Sequence, residues 1–191
     1  MAAERLGRWL DGFAERHGAT RTIIGAEVVE LIGADGAHAW LHVPFPPLAG
    51  DLVEHVNRRR RVGVLLVRRG GYAAGVFDGD ELVASKVGSS YVQGTTKAGG
   101  WSQQRFARRR ANQASAAFAE AADAAARVLG DAELDAFVAG GDRAAVRAVV
   151  ADRRLDHLHP TGSWLDVKDP KLKVLAATPQ QFRAVRIRLD P

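Results

Sequence analysis

Between residues 62 and 87 three short apolar runs are separated by two turn signals, and this pattern restricts the fold more than any other part of the chain. Val62 to Val67 reads VGVLLV, Gly70-Gly71 interrupts, and Tyr72 to Phe77 comes next. Asp78-Gly79-Asp80 interrupts again before Leu82 to Val87. Apolar runs of this length bounded by Gly and Asp are strands joined by tight turns. An antiparallel meander is therefore expected. Its first strand has no polar alternation, as a strand covered on both faces would.

Residues beyond the meander complete a mixed α/β domain. Residues 88 to 101 contain Gly88, Gly94, Gly99 and Gly100 with Ser89, Ser90, Thr95 and Thr96. Few side chains there could anchor a loop in a core, so a mobile loop is expected. A long helix is expected from about Ser102, its N-cap, to Leu129, with Gly130 as the C′ residue. Phe118, Ala121, Ala122, Ala125 and Leu129 recur at helical spacing and should face the sheet. Arg105, Arg108, Arg109 and Asn112 fall on a neighbouring stripe. A strand at Leu134 to Ala139, a helix from Arg143 to Asp152 introduced by Gly140-Gly141-Asp142, and an alternating edge strand at Ala184 to Leu189 add β-α-β elements.

Upstream, residues 4 to 17 read as a helix with Leu6, Trp9, Leu10 and Phe13 on one face. Residues 21 to 32 and 37 to 43 read as two strands joined at Gly33-Ala34-Asp35-Gly36. Phe45-Pro46-Pro47 breaks the pattern, and residues 48 to 57 form a short helix. Residues 1 to 57 are expected as an accessory region and 58 to 191 as the main domain.

Composition removes several classes of function. None of the 191 residues is cysteine, which excludes disulfides, thiolate nucleophiles and cysteine-ligated zinc. No run of about 18 apolar residues exists, so no membrane span is expected. Charges at Glu4, Arg5, Arg8 and Asp11 make the N-terminus an amphipathic helix and not a signal peptide. A reducing cytoplasm fits. No P-loop, dinucleotide fingerprint or nucleophile elbow is present, so no cofactor and no serine-hydrolase triad is expected. Asp156 with His157 and His159 is too thin for a metal site, and Asp78, Asp80 and Glu81 read as a solvated turn; no metal is expected.

Charge distribution points to a polyanion. The net charge is +5. From Leu82 to Ala119 no Asp or Glu occurs, whereas Lys86, Lys97, Arg105, Arg108, Arg109 and Arg110 do. Arg58 to Arg61 with Arg68 and Arg69 form a second cluster without acids. Two such clusters, one abutting a glycine loop, favour nucleic acid.

Ala98 to Arg110, AGGWSQQRFARRR, carries the chemistry. Glycine permits close backbone approach. Glutamine offers a neutral acceptor and donor, and arginines grip phosphates bidentately. A flexible tip with a neutral water-positioning group and cationic grips behind it suits hydrolysis of a nucleic-acid-linked ester. GG-x-S-x-x-RFAR-x-R resembles the GGQ loop and following helix in the catalytic middle domain of eukaryotic and archaeal translation release factors. It is still more similar to the release-factor-like peptidyl-tRNA hydrolases of ribosome quality control, the Vms-like release factors, whose looser G-x-x-Q is met by Gly100-Trp101-Ser102-Gln103. The Ala/Arg/Gly-rich composition fits an actinobacterial branch of that family. An ungapped alignment places Trp101 where the release-factor glutamine sits. The catalytic amide is therefore Gln103 or Gln104, with Gln103 preferred.

The resemblance covers roughly residues 60 to 190. It implies a ribonuclease-H-like release-factor catalytic domain and a peptidyl-tRNA hydrolase acting on stalled or split ribosomes. In that enzyme Gly99 and Gly100 bring the loop to the ester. Lys97, Trp101, Ser102, Arg105, Arg108, Arg109 and Arg110 hold RNA. Partners would be the large ribosomal subunit, ribosomal RNA and peptidyl-tRNA, with a monomer and no membrane expected. The chain leaves no room for a separate stop-codon-reading domain, so rescue is expected in place of codon-dependent termination. Cleavage of the tRNA near its 3′ end, or ribosome binding without catalysis, are the alternatives.

Overall fold

The computed structural model describes residues 1–68, 70–89 and 101–190, and the side chains of 1–68, 70–89 and 113–190. The chain forms two compact units. One comprises residues 1–59, 161–163 and 178–191, the other 60–160 and 164–177.

In the first unit, a 3-10 turn at Ala3–Arg5 leads into helix α1 (Leu6–His17). Strands β1 (Arg21–Ile24), β2 (Val28–Ile32) and β3 (His38–His42) come next, then helix α2 (Leu52–Asn57). The expected single strand over 21–32 is therefore two. Gly25 N–H donates to Val28 O at 2.9 Å in a tight turn, and a side chain at Gly25 would meet that oxygen at 2.8 Å. β2 and β3 alternate strictly. Val29, Leu31, Ala39 and Leu41 are buried with Leu6 and Phe13 of α1, while Glu30, Trp40 and their neighbours turn outward. Asp51 caps α2 by accepting from the Val53 and Glu54 N–H groups. Buried His55 donates from Nε2 to Pro44 O and accepts the Ala49 N–H at Nδ1, which assigns its neutral tautomer.

The second unit holds β4 (Arg61–Arg68), β5 (Gly71–Asp78), β6 (Glu81–Ser89) and β7 (Ala136–Gly141). It also holds helices α3 (Trp101–Leu129), α4 (Arg143–Val150) and α5 (Leu172–Ala176). The sheet order is β6-β5-β4-β7. The meander is antiparallel throughout, and β7 adds parallel to β4. β4 and β5 are buried along nearly their whole length. Leu65, Val67, Ala74 and Val76 pack under Ala121, Ala125 and Leu129 of α3. Each fully buried leucine there contributes about 1.5–3 kcal/mol.

Several boundaries depart from expectation. α3 begins at Trp101, so Ser102 lies inside the helix and is not its N-cap. Gly130 closes the last turn, donating to Ala126 O at 2.9 Å. It is not among the positive-φ glycines, so no left-handed C′ forms there. β7 starts two residues later than expected, because Asp135 is used to bond Arg61: its N–H donates to Arg61 O and its carboxylate accepts the Arg61 N–H. Asp142 then caps α4. Residues 160–177, where no element was expected, join the free edge of β7 through parallel bridges Phe137↔Pro160 and Gly140↔Leu165. Leu165, Val167 and Leu175 are buried there.

The C-terminal strand β8 (Arg186–Leu189) is an edge strand, but of the first unit's sheet. It pairs antiparallel with β3, after the short helix α6 (Pro179–Phe182). Alternation along the strand announces an edge but not which sheet it borders. The stretch 178–190 thus belongs with the N-terminal region and not with the larger unit.

Candidate functional site

The candidate segment joins the end of β6 to the start of α3. Lys97, Gly99 and Gly100 lie outside the described residues, as does the expected mobility of the loop. Trp101, Ser102, Gln103, Gln104, Arg105, Arg108, Arg109 and Arg110 occupy the first turns of α3; their side chains also lie outside the described set. Both glutamines are thus carried on helical backbone. The facing of the expected stripe of Arg105, Arg108, Arg109 and Asn112 on this helical rod lies outside the described side chains.

The described residues show what holds that rod. Tyr72, at the start of β5, is buried, and its hydroxyl donates to Glu120 Oε1 of α3 at 3.1 Å. The Tyr72 ring lies over Gly88, where β6 ends; a β-carbon at Gly88 would overlap Tyr72 Cε1 at 2.6 Å. One tyrosine therefore bears on both flanks of the candidate segment. Burial, reinforced by the bond to the Glu120 carboxylate, pushes the Tyr72 hydroxyl above its ordinary pKa. Farther along α3, Asp123 accepts from Arg154 at 2.7 Å, and Arg154 also bonds Asp152. Hydrogen bonds from Arg154 hold Asp152 down at about 2. Gln113 presents a buried Oε1 with no partner among the described residues.

Sequence reasoning singles out none of these supports. The visible signal for Tyr72 is a lone tyrosine opening an apolar strand after Gly70-Gly71, with Gly88 at its cross-strand position. Glu120, 48 residues away, has no local signature. Among the described residues, no three His, Cys, Asp or Glu side chains gather where a metal ion could sit. None of the described helices is long and apolar enough to cross a membrane.

Comparison with known proteins gives the family. A family model described as Actinobacteria/chloroflexi VLRF1 release factor matches residues 60–188, well over half of the chain. The chain belongs to this family of release factors. The matched span contains the meander, the candidate segment and α3. The crystal structure of an archaeal translation termination factor, aRF1, is similar at 15% sequence identity with a TM-score of 0.38. That match covers 82% of this chain and 49% of the archaeal one, so the chain spans about half of the archaeal protein's length. Likeness at that level leaves the architecture to be read from the strands and helices themselves. No curated protein matches the chain.

Proposed function

We propose that this protein is a ribosome-associated peptidyl-tRNA hydrolase that frees nascent chains from stalled or split ribosomes. The observation that carries this reading is the family match over residues 60–188, which spans Gly99-Gly100, Gln103 and the arginines of α3. Peptidyl-tRNA holds its peptide by an ester to the terminal ribose. Water oxygen attacks the ester carbonyl carbon, the carbonyl becomes a tetrahedral oxyanion, and the bond to the ribose oxygen then breaks. The departing ribose oxygen takes a proton from the attacking water or through its vicinal hydroxyl. An ester is already activated, so placing the water matters more than a strong base. Positioning contributes on the order of 7–11 kcal/mol in favourable cases.

In this mechanism the Gln103 amide places the water, with Gln104 as the alternative. Gly99 and Gly100 let the backbone reach the ester. A carboxylate in that position would be repelled by surrounding phosphates; a neutral amide is not. Lys97, Arg105, Arg108, Arg109 and Arg110 grip phosphates, and Trp101 and Ser102 contact RNA. The first N–H groups of α3 face the developing negative charge. Large-subunit RNA and the tRNA acceptor end supply the remaining walls, and no cofactor takes part.

A release assay on ribosome-bound peptidyl-tRNA tests this reading. Gln103→Ala is expected to slow release on the order of 100-fold, and Gln104→Ala to slow it less. Release unchanged in both variants would remove the glutamine mechanism. Mapping the tRNA 3′ end separates ester hydrolysis, which leaves it intact, from an endonuclease, which shortens it. Ribosome binding without turnover would make the protein a non-catalytic binding module.

A further inference from the structure

The sheet of the first unit buries one face under α1 and leaves the other to solvent, and β1 to β3 lie before the span the family match covers. The outer face is not a neutral surface. Cross-strand register aligns Glu30, Trp40 and Arg188 in one row over β2, β3 and β8. The Arg188 guanidinium sits 4.1 Å from the Trp40 ring centroid. The His38 ring stacks on Trp40 at 3.9 Å with an interplanar angle of 31°. Arg186 lies opposite His42 in the next row, and Arg21 projects from β1 on the same face. Arg21, Arg186 and Arg188 are exposed and have no ion pair among the described residues. Of the carboxylates on this face, Glu30 bonds His38 Nε2 at 3.2 Å, and exposed Asp190 continues the β8 alternation opposite His38.

We propose that this outer face binds single-stranded RNA, a contact separate from the one made by α3. Three arginines with no ion pair among the described residues, against Glu30, which His38 engages, and Asp190 at the end of β8, leave the face with net positive charge, complementary to a polyanion. Arg186 and Arg188, two residues apart on one strand, stand about 7 Å apart, a spacing that suits successive phosphates of an extended strand. The Arg188–Trp40–His38 stack offers flat π surfaces to unpaired bases, which stack on aromatic rings and guanidinium planes alike. An A-form duplex hides its base faces and could use only the arginines. The combination therefore selects unpaired RNA over duplex. This inference goes beyond the release reaction and stands without it.

The test uses the full chain and a fluorescein-labelled 12-nucleotide oligouridine, with anisotropy measured across a salt series. The double variant Arg186→Ala/Arg188→Ala is expected to weaken binding by about 10-fold. It should also reduce the salt slope by about 1.4, the value for two phosphates of a single strand. 4-Thiouridine crosslinks should map to residues 38–42. Trp40→Phe keeps a ring on the sheet and should retain most of the affinity, while Trp40→Ala should lose the crosslink. Arg105→Ala/Arg108→Ala/Arg109→Ala, which bears on the release mechanism, should leave the crosslink at 38–42 in place, so the two readings fail separately. Wild-type affinity in the folded Arg186→Ala/Arg188→Ala variant would overturn the proposal. So would duplex RNA bound as tightly as the single strand, or crosslinks confined to α3. Displacement of the RNA by an acidic peptide, with no crosslink at 38–42, would make the face a protein interface instead.

Discussion

The two sheets use similar apolar residues to opposite ends. In the second unit β4 and β5 are buried almost end to end. α3 and α4 lie on one face, and on the other Gly75 makes room for Leu175 and Gly140 for Leu165. In the first unit β2 and β3 bury every second residue only. Strands covered on both faces are a platform, and what such a sheet presents must come from strand ends or from its exposed edge strand, β6. That is where the candidate segment departs, after β6. A sheet covered on one face keeps a working surface of its own. The difference separates a site carried at the rim of a scaffold from a site spread over strands.

Substitutions can break this contrast, and the largest effect is expected in the doubly covered sheet. Leu66→Ala should cost about 2–5 kcal/mol in denaturant unfolding, because Leu66 is fully buried. Arg186→Ala, on the open face, should stay within about 0.5 kcal/mol. Comparable losses would mean that both sheets are closed.

Tyr72→Phe sharpens the description of the rim. It keeps the ring over Gly88 and removes the bond to Glu120, so about 1 kcal/mol should be lost near neutral pH. The Tyr72 hydroxyl is raised above 10.0. Its neutral form is therefore favoured by folding, and the contribution is complete below the unfolded value. It vanishes as pH climbs through the higher folded one. Unfolding curves at pH 8 and pH 11 should show the wild-type advantage over Tyr72→Phe shrinking at the higher pH. An advantage that grew would contradict the assignment of Tyr72 as donor to Glu120.

The smallest effect belongs to the exposed Arg154 pin on α3. Asp152 is lowered from 3.8 to about 2. Its contribution is present above the unfolded value and fades as pH falls from about 4 toward 2. Carboxyl chemical shifts tracked through that window should show Asp152 titrating at about 2, below the ordinary 3.8. Arg154→Ala should return it to the ordinary range.

Much of the second unit is visible in the order of residues. VGVLLV, the paired turn signals and the apolar stripe of α3 are local patterns, and the structure has a strand, two turns and a helix where they occur. Gly25-Ala26-Glu27 gives no clear turn signal, because it lacks the Asn, Asp or Pro that usually marks one. Residues 160–177 give no strand or helix signal, because Leu165 and Val167 come after a bridge to β7 and have no period of their own. Of the candidate site, the residue types are visible and the supports are not. Tyr72 and Glu120 meet only because the meander and α3 pack together.

By itself the sequence determined periodicities, turns and where charge accumulates, since each depends on neighbours within a few positions along the chain. Only the tertiary structure decided that β8 closes the first sheet, that β7 runs parallel to β4, and that Arg188 lies over Trp40. Those pairings join segments far apart in sequence. Their selection rests on which faces can be buried together, a property of the assembled chain that no local window contains.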